Sequence, residues 1–149
     1  RDMKIALGSD HGGFQRKEEI KRYLLAQGHE VKDVGTYSTE SCHYPEFGEA
    51  AANAVADGEC QRGIVVCTTG IGMSSVANTV CGIRCALCSD VHCAEMTRRH
   101  NDANMLAIGA VNSDEDLACA MVQTFLDTPF EGGRHQTRVD MITRIEEKN

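Results

Sequence analysis

Cys67 ends an apolar run, Gly63-Ile-Val-Val-Cys67, and is followed at once by Thr68-Thr69-Gly70-Ile71-Gly72-Met73-Ser74. A strand that delivers a thiol to its carboxyl end and then turns through glycines into a helix sets that thiol beside unpaired backbone N–H groups and the positive end of a helix dipole. Such a field favours the thiolate, the form of cysteine that acts as nucleophile or base. The N–H groups of Thr68, Thr69, Gly70, Ile71 and Gly72 could hold a phosphate, or an oxyanion that develops during reaction. Asp10 and His11 follow the first apolar run directly. A carboxylate there accepts hydrogen bonds from sugar hydroxyls, and an imidazole contacts a phosphate or moves protons. His100-Asn101-Asp102 closes a helical pattern, where a histidine serves either the helix dipole or a reaction. Arg134 and Arg138 share one helix face and, with His135, form either a phosphate clamp or a solvated charged surface.

Two other thiol chemistries are weighed against these residues. A cysteine-dependent phosphatase needs an arginine six residues beyond its thiol to cradle the phosphate; here that residue is Met73, which excludes it. A thiol phosphocarrier of sugar-uptake systems uses a Cys-x-x-Gly-x-Gly loop, and Cys67-Thr-Thr-Gly-Ile-Gly72 fits. Such domains place the cysteine after their first strand and need none of the other groups, so the carrier stands as the alternative from a different class.

The elements that must position these groups are read from periodicity. Apolar strand-like runs at 3–8, 29–34, 63–67, 83–88 and 104–109 alternate with helical patterns at 14–27, 45–57, 72–80, 91–99 and 113–126, and a charged helix closes the chain at 134–147. Gly28 stops the first helix, and Pro45 opens the second from the first-turn position it favours. The second strand reads as an edge. Alternating βα units predict a single α/β domain, 1–149, doubly wound, with a five-stranded parallel sheet between helices. In such folds ligands bind at the carboxyl ends of the strands, where the strand order reverses. That rule selects the loops after the first and third strands, which are the loops of Asp10-His11 and Cys67.

Composition narrows the partners. A net charge of −7 argues against nucleic acid and anionic membrane. No apolar stretch approaches the roughly 20 residues of a membrane span, and Met3 runs straight into a strand without a basic-then-apolar leader. Eight cysteines in a chain with regular elements and no leader read as reduced thiols in a cytoplasmic protein. Cys85-Ala-Leu-Cys88 is formally a metal-binding spacing, but on a strand residues three apart point to opposite faces. No metal or cofactor is expected.

Taken together, Gly8-Ser-Asp-His-Gly-Gly13, Tyr44-Pro45, Cys67-Thr-Thr-Gly-Ile-Gly-Met-Ser74, Arg99-His-Asn-Asp102 and Gly133-Arg-His-Gln-Thr-Arg138 resemble the type B ribose-5-phosphate isomerase family, which includes galactose- and allose-6-phosphate isomerases. The resemblance covers nearly the whole chain. It implies a flavodoxin-like three-layer fold and metal-free aldose–ketose isomerisation of a phosphorylated sugar, most simply ribose 5-phosphate to ribulose 5-phosphate. It also implies a homodimer, or a dimer of dimers, whose sites form between subunits, with the terminal arginines serving the neighbour's pocket. By this resemblance Cys67 is the base between C1 and C2, residues 68–72 are the anion hole, and His100 handles ring opening with Asn101 beside it. Asp10 and Tyr44 contact the sugar, while His11, Arg134 and Arg138 bind phosphate. The chain departs from the family at Thr68, where glycine is usual, and at Gly109-Ala-Val-Asn112, where an arginine often stands. The missing arginine opens the substrate to a six-carbon phosphosugar. A paralogue that binds phosphosugars without turnover is the remaining alternative, opposed by the retention of both Cys67 and His100.

Overall fold

The apolar runs and helical patterns fold as five βα units followed by a terminal helix. The computed structural model describes residues 2–149. In chain order the elements are β1 (Lys4–Ser9), α1 (Phe14–Ala26), β2 (Glu30–Gly35), α2 (Tyr44–Ala56), β3 (Arg62–Cys67), α3 (Ile71–Ala77), β4 (Cys85–Leu87), α4 (Val91–Asn101), β5 (Met105–Gly109), α5 (Glu115–Asp127) and α6 (Arg134–Glu147). A single turn of 3₁₀ helix, Ala110–Asn112, joins β5 to α5.

All strand pairs are parallel and the order is β2-β1-β3-β5-β4. The interior strands β1, β3 and β5 are apolar on both faces, as a sheet covered on both sides requires. Ile5, Leu7, Ile64, Val66, Leu106 and Ile108 meet α1, α4 and α5 on one face. Ala6, Val65, Cys67 and Ala107 meet α2 and α3 on the other. Full burial of each large aliphatic side chain in these layers contributes about 1.5–3 kcal/mol. The result is the flavodoxin-like three-layer arrangement, with its last two strands exchanged relative to flavodoxin's own order. The reason is legible in burial. Met105–Gly109 is buried throughout and takes the interior place, whereas Cys85–Leu87 is half-exposed and lies at the edge.

Three expected spans change. The fourth strand, expected at 83–88, is only Cys85–Leu87, because the Asn78 side chain pairs with both backbone groups of Cys85 and the Arg84 N–H is taken by Asn104 Oδ1. The helix after β3, expected to reach residue 80, ends at Ala77. The α4 helix runs on to Asn101, so His100 and Asn101 lie in its last turn. Asp102 stops it in the left-handed region at φ 48°, held by Arg98 at 2.8 Å and Arg84 at 2.9 Å. Cys85 packs on the α2–α3 face and Cys88 on the other, as the strand periodicity predicts for residues three apart. No helix among the described residues is long and apolar enough to cross a membrane.

Candidate active site

The chain leaves β1 towards β2 on one side and leaves β3 towards β4 on the other, so the carboxyl ends of β1 and β3 flank the point where the winding reverses. A shallow cleft of about 440 Å³ opens there, lined by Asp10, Tyr44, Cys67, Thr68, Thr69, Ile71, Gly72 and Ser75. Cys67 is the last residue of β3 and is 5 % exposed. Its Sγ accepts the Gly70 N–H at 3.1 Å, a contact that stabilises negative charge on sulfur. Gly70 makes that contact at φ +81°, a left-handed conformation that favours glycine, and it caps α3. Gly72 is needed for a different reason. A Cβ there would stand 2.6 Å from the Tyr44 ring, which the first turn of α2 holds against the loop.

Asp10 is buried at the end of β1, its Oδ1 accepting the Gly13 N–H at 2.9 Å. Thr68 lies against the first loop: a Cβ on Gly12 would approach its Oγ1 to 2.3 Å. His11 is exposed beside residue 42, whose N–H its Nδ1 accepts at 3.2 Å. Four of the other thiols are held in the neutral form. Burial pushes the Cys85 thiol up to about 12 and pushes the Cys88, Cys60 and Cys119 thiols upward as well.

His100, Asn101, Arg134 and Arg138 are not in this cleft. Residue pairing fixes their distance from it, since Cys67 pairs with Gly109 at the carboxyl end of the sheet and Gly63 with Met105 at the amino end. From Met105 to Gly109 the strand rises about 13 Å, and His100 lies beyond Met105, where α4 returns to the amino end. There the His100 and His135 rings stack with centroids 4.1 Å apart. Arg134 and Arg138 are exposed in the first turns of α6. One chain thus carries a thiol and glycine-loop cluster at one end of the sheet and a histidine–arginine cluster at the other. His100 and Asn101 stand with the terminal arginines, apart from the Cys67 cleft.

Glu131 joins this second cluster and was not anticipated; it lies in a glycine-flanked connector with no periodicity to mark it. Its Oε2 accepts Arg99 Nε at 2.6 Å, and that guanidinium, with His100 and His135, holds its carboxyl below the usual carboxylate range. His100, Glu131 and His135 are the one trio of potential metal ligands grouped within 4.8 Å among the described residues. The two rings are only 8° from parallel. Their in-plane lone pairs therefore run side by side instead of converging on one ion, a poor fit to a metal's coordination geometry. A larger groove of about 870 Å³ beside β4 and α6 mixes apolar residues such as Ile83, Ile142 and Ile145 with polar ones such as Arg84 and Glu146; Asn101 reaches its wall, but neither Cys67 nor His100 lines it.

The family model for ribose/galactose isomerases matches residues 5–142. The chain belongs to that family. It is 46 % identical to ribose-5-phosphate isomerase B of Escherichia coli K12 over 97 % of both chains. The solved ribose-5-phosphate isomerase B of Clostridium thermocellum is 53 % identical, superposes with a TM-score of 0.97, and is covered over 99 % of its length by 98 % of this chain. A 4-deoxy-4-sulfo-D-erythrose isomerase of Clostridium sp. MSTE9 is 38 % identical over 98 % of this chain and 92 % of its own. Isomerase chemistry in this family thus extends beyond one substrate.

Proposed function

We propose that this protein is a cytoplasmic aldose–ketose isomerase that interconverts ribose 5-phosphate and ribulose 5-phosphate as a homodimer, or dimer of dimers, in which each site joins the Cys67 half of one subunit to the His100 half of another. The observation that carries this reading is the placement of two chemically complementary half-sites at opposite ends of one sheet. Exposed Ile71, Leu87 and Val111 near the cleft and Met141, Ile142 and Ile145 on α6 support assembly, since each leaves apolar surface in water.

The reaction follows from these groups. His100 takes the anomeric hydroxyl proton as the C1–ring-oxygen bond breaks, and returns it to the ring oxygen. The Cys67 thiolate removes the C2 proton of the open aldose, and the electron pair moves into an enediolate whose oxygen faces the N–H groups of residues 68–72. Reprotonation at C1, with transfer of the O2 proton to O1, gives the ketose. Asp10, Tyr44 and Asn101 orient the sugar hydroxyls, and His11, Arg134 and Arg138 hold the phosphate.

Exposed Val111, standing where the family often has arginine, favours a second reading in which the substrate is galactose- or allose-6-phosphate. A panel of pentose and hexose phosphates followed by NMR tests both, with pentose interconversion expected. No interconversion of any sugar, together with a phosphorylated Cys67 after incubation with a phosphoryl-donor protein, would instead establish the carrier.

A further inference from the structure

His135 has no part in the reaction as derived, yet it is 7 % exposed and its Nε2 has no hydrogen-bond partner. Its ring is stacked on His100 at 4.1 Å and 8°. The Nε2 atoms of both rings approach the same oxygen, Glu131 Oε1, at 3.5 Å from His135 and 3.8 Å from His100. Glu131 is fixed from behind, because Arg99 holds its other oxygen and the Glu131 N–H donates to the Arg99 carbonyl at 3.0 Å.

We propose that His135 is a positioning residue that holds the His100 ring by stacking and, with Glu131, confines the stacked pair to a single proton. This rests on the reading of His100 as the ring-opening group. Two imidazolium rings stacked at this distance repel, whereas an imidazolium lies comfortably on a neutral ring. The surrounding charges point the same way. Glu95 and Arg99 come from α4 and pair with each other, Glu131 comes from the connector, and Arg134 and Arg138 come from α6. The arginines oppose a second proton and the Glu131 carboxylate supports the first. Burial pulls the His135 imidazole below the usual histidine range, with His100 and Arg134 adding to the effect. During ring opening His100 then cycles between neutral imidazole and imidazolium while His135 stays neutral.

The test follows the His100 ring resonances by NMR through a pH titration of the intact assembly, in parallel with two kinetic readouts. Glu131→Gln, which removes the carboxylate both rings face, should move the His100 midpoint downward. His135→Ala should slow turnover of the cyclic aldose phosphate by about ten- to a hundredfold with little change in KM, and should leave solvent-deuterium wash-in at C1 of the open-chain ketose phosphate unchanged. His135→Phe, which keeps the stack, should restore most of the rate. Positioning is overturned by an unmoved His100 midpoint in both Glu131→Gln and His135→Ala, by a His135→Phe enzyme as slow as His135→Ala, or by wash-in falling in step with turnover. His100→Ala separates the underlying reading: if it spares turnover of the cyclic sugar, ring opening belongs elsewhere, and the titration still decides whether His135 positions that ring.

Discussion

A shared site makes a quantitative prediction about mixtures of two dead enzymes. Cys67→Ala removes the proposed base from the carboxyl-end half, and His100→Ala removes the proposed acid–base group from the amino-end half. Each loss typically costs about 100- to 10,000-fold in rate, so each homodimer should be nearly inactive at both sites. The two groups lie at opposite ends of one sheet, separated along the strands by about 13 Å, against the roughly 3 Å reach of a proton transfer. In a hybrid dimer one site therefore draws Cys67 from the His100→Ala chain and His100 from the Cys67→Ala chain, and is intact. The other site carries both defects. Unfolding, mixing in equal amounts and refolding gives hybrids as half of all dimers, each with one of two sites working, and so about one quarter of wild-type specific activity. The assay is pentose phosphate isomerisation before and after mixing, with separately refolded variants as the baseline. If activity stays at that baseline while differently tagged subunits demonstrably exchange, the shared-site argument is wrong.

Other outcomes follow from the same structure. Cys67→Ala should abolish turnover but keep phosphosugar affinity within a few-fold by calorimetry, since the proposed phosphate contacts are His11, Arg134 and Arg138; lost binding would assign the thiol to recognition. Exhaustive EDTA treatment should leave activity intact, and loss restored by a divalent ion would show a metal requirement. Asp33 and Lys17 form a pair in which Lys17 is 0 % exposed, and Asp33→Asn leaves Lys17 only its ion pair with Glu18 at 2.9 Å, so it should destabilise the fold by about 1.5–3 kcal/mol in urea titration. Burial alone would raise the Asp33 carboxyl, but hydrogen bonds from Lys17, the Gly35 N–H and Lys21 outweigh it and hold the group below the usual carboxylate range. Its contribution is therefore present above the ordinary carboxylate pKa and lost as pH falls through the depressed value, and acid titration of Asp33→Asn should lack that step.

The sequence by itself determined the elements, the face each strand buries, and the loops that bear Asp10 and Cys67. Those properties depend on residues close in the chain: a two-residue period places Cys85 and Cys88 on opposite faces, and Gly70 permits a turn tight enough to bring its N–H onto the thiol. Family motifs also brought His100, Asn101, Arg134 and Arg138 into view. Where these groups stand relative to Cys67 was decided only by the tertiary structure, because that depends on which way each helix returns across the sheet. The exchange of β4 and β5 was likewise settled by competition for the interior place, which the wholly buried Met105–Gly109 strand takes from a three-residue rival. Glu131 and the His100–His135 stack arise where a connector, α4 and α6 converge, and no local pattern in the chain encodes a contact between segments that meet only after folding.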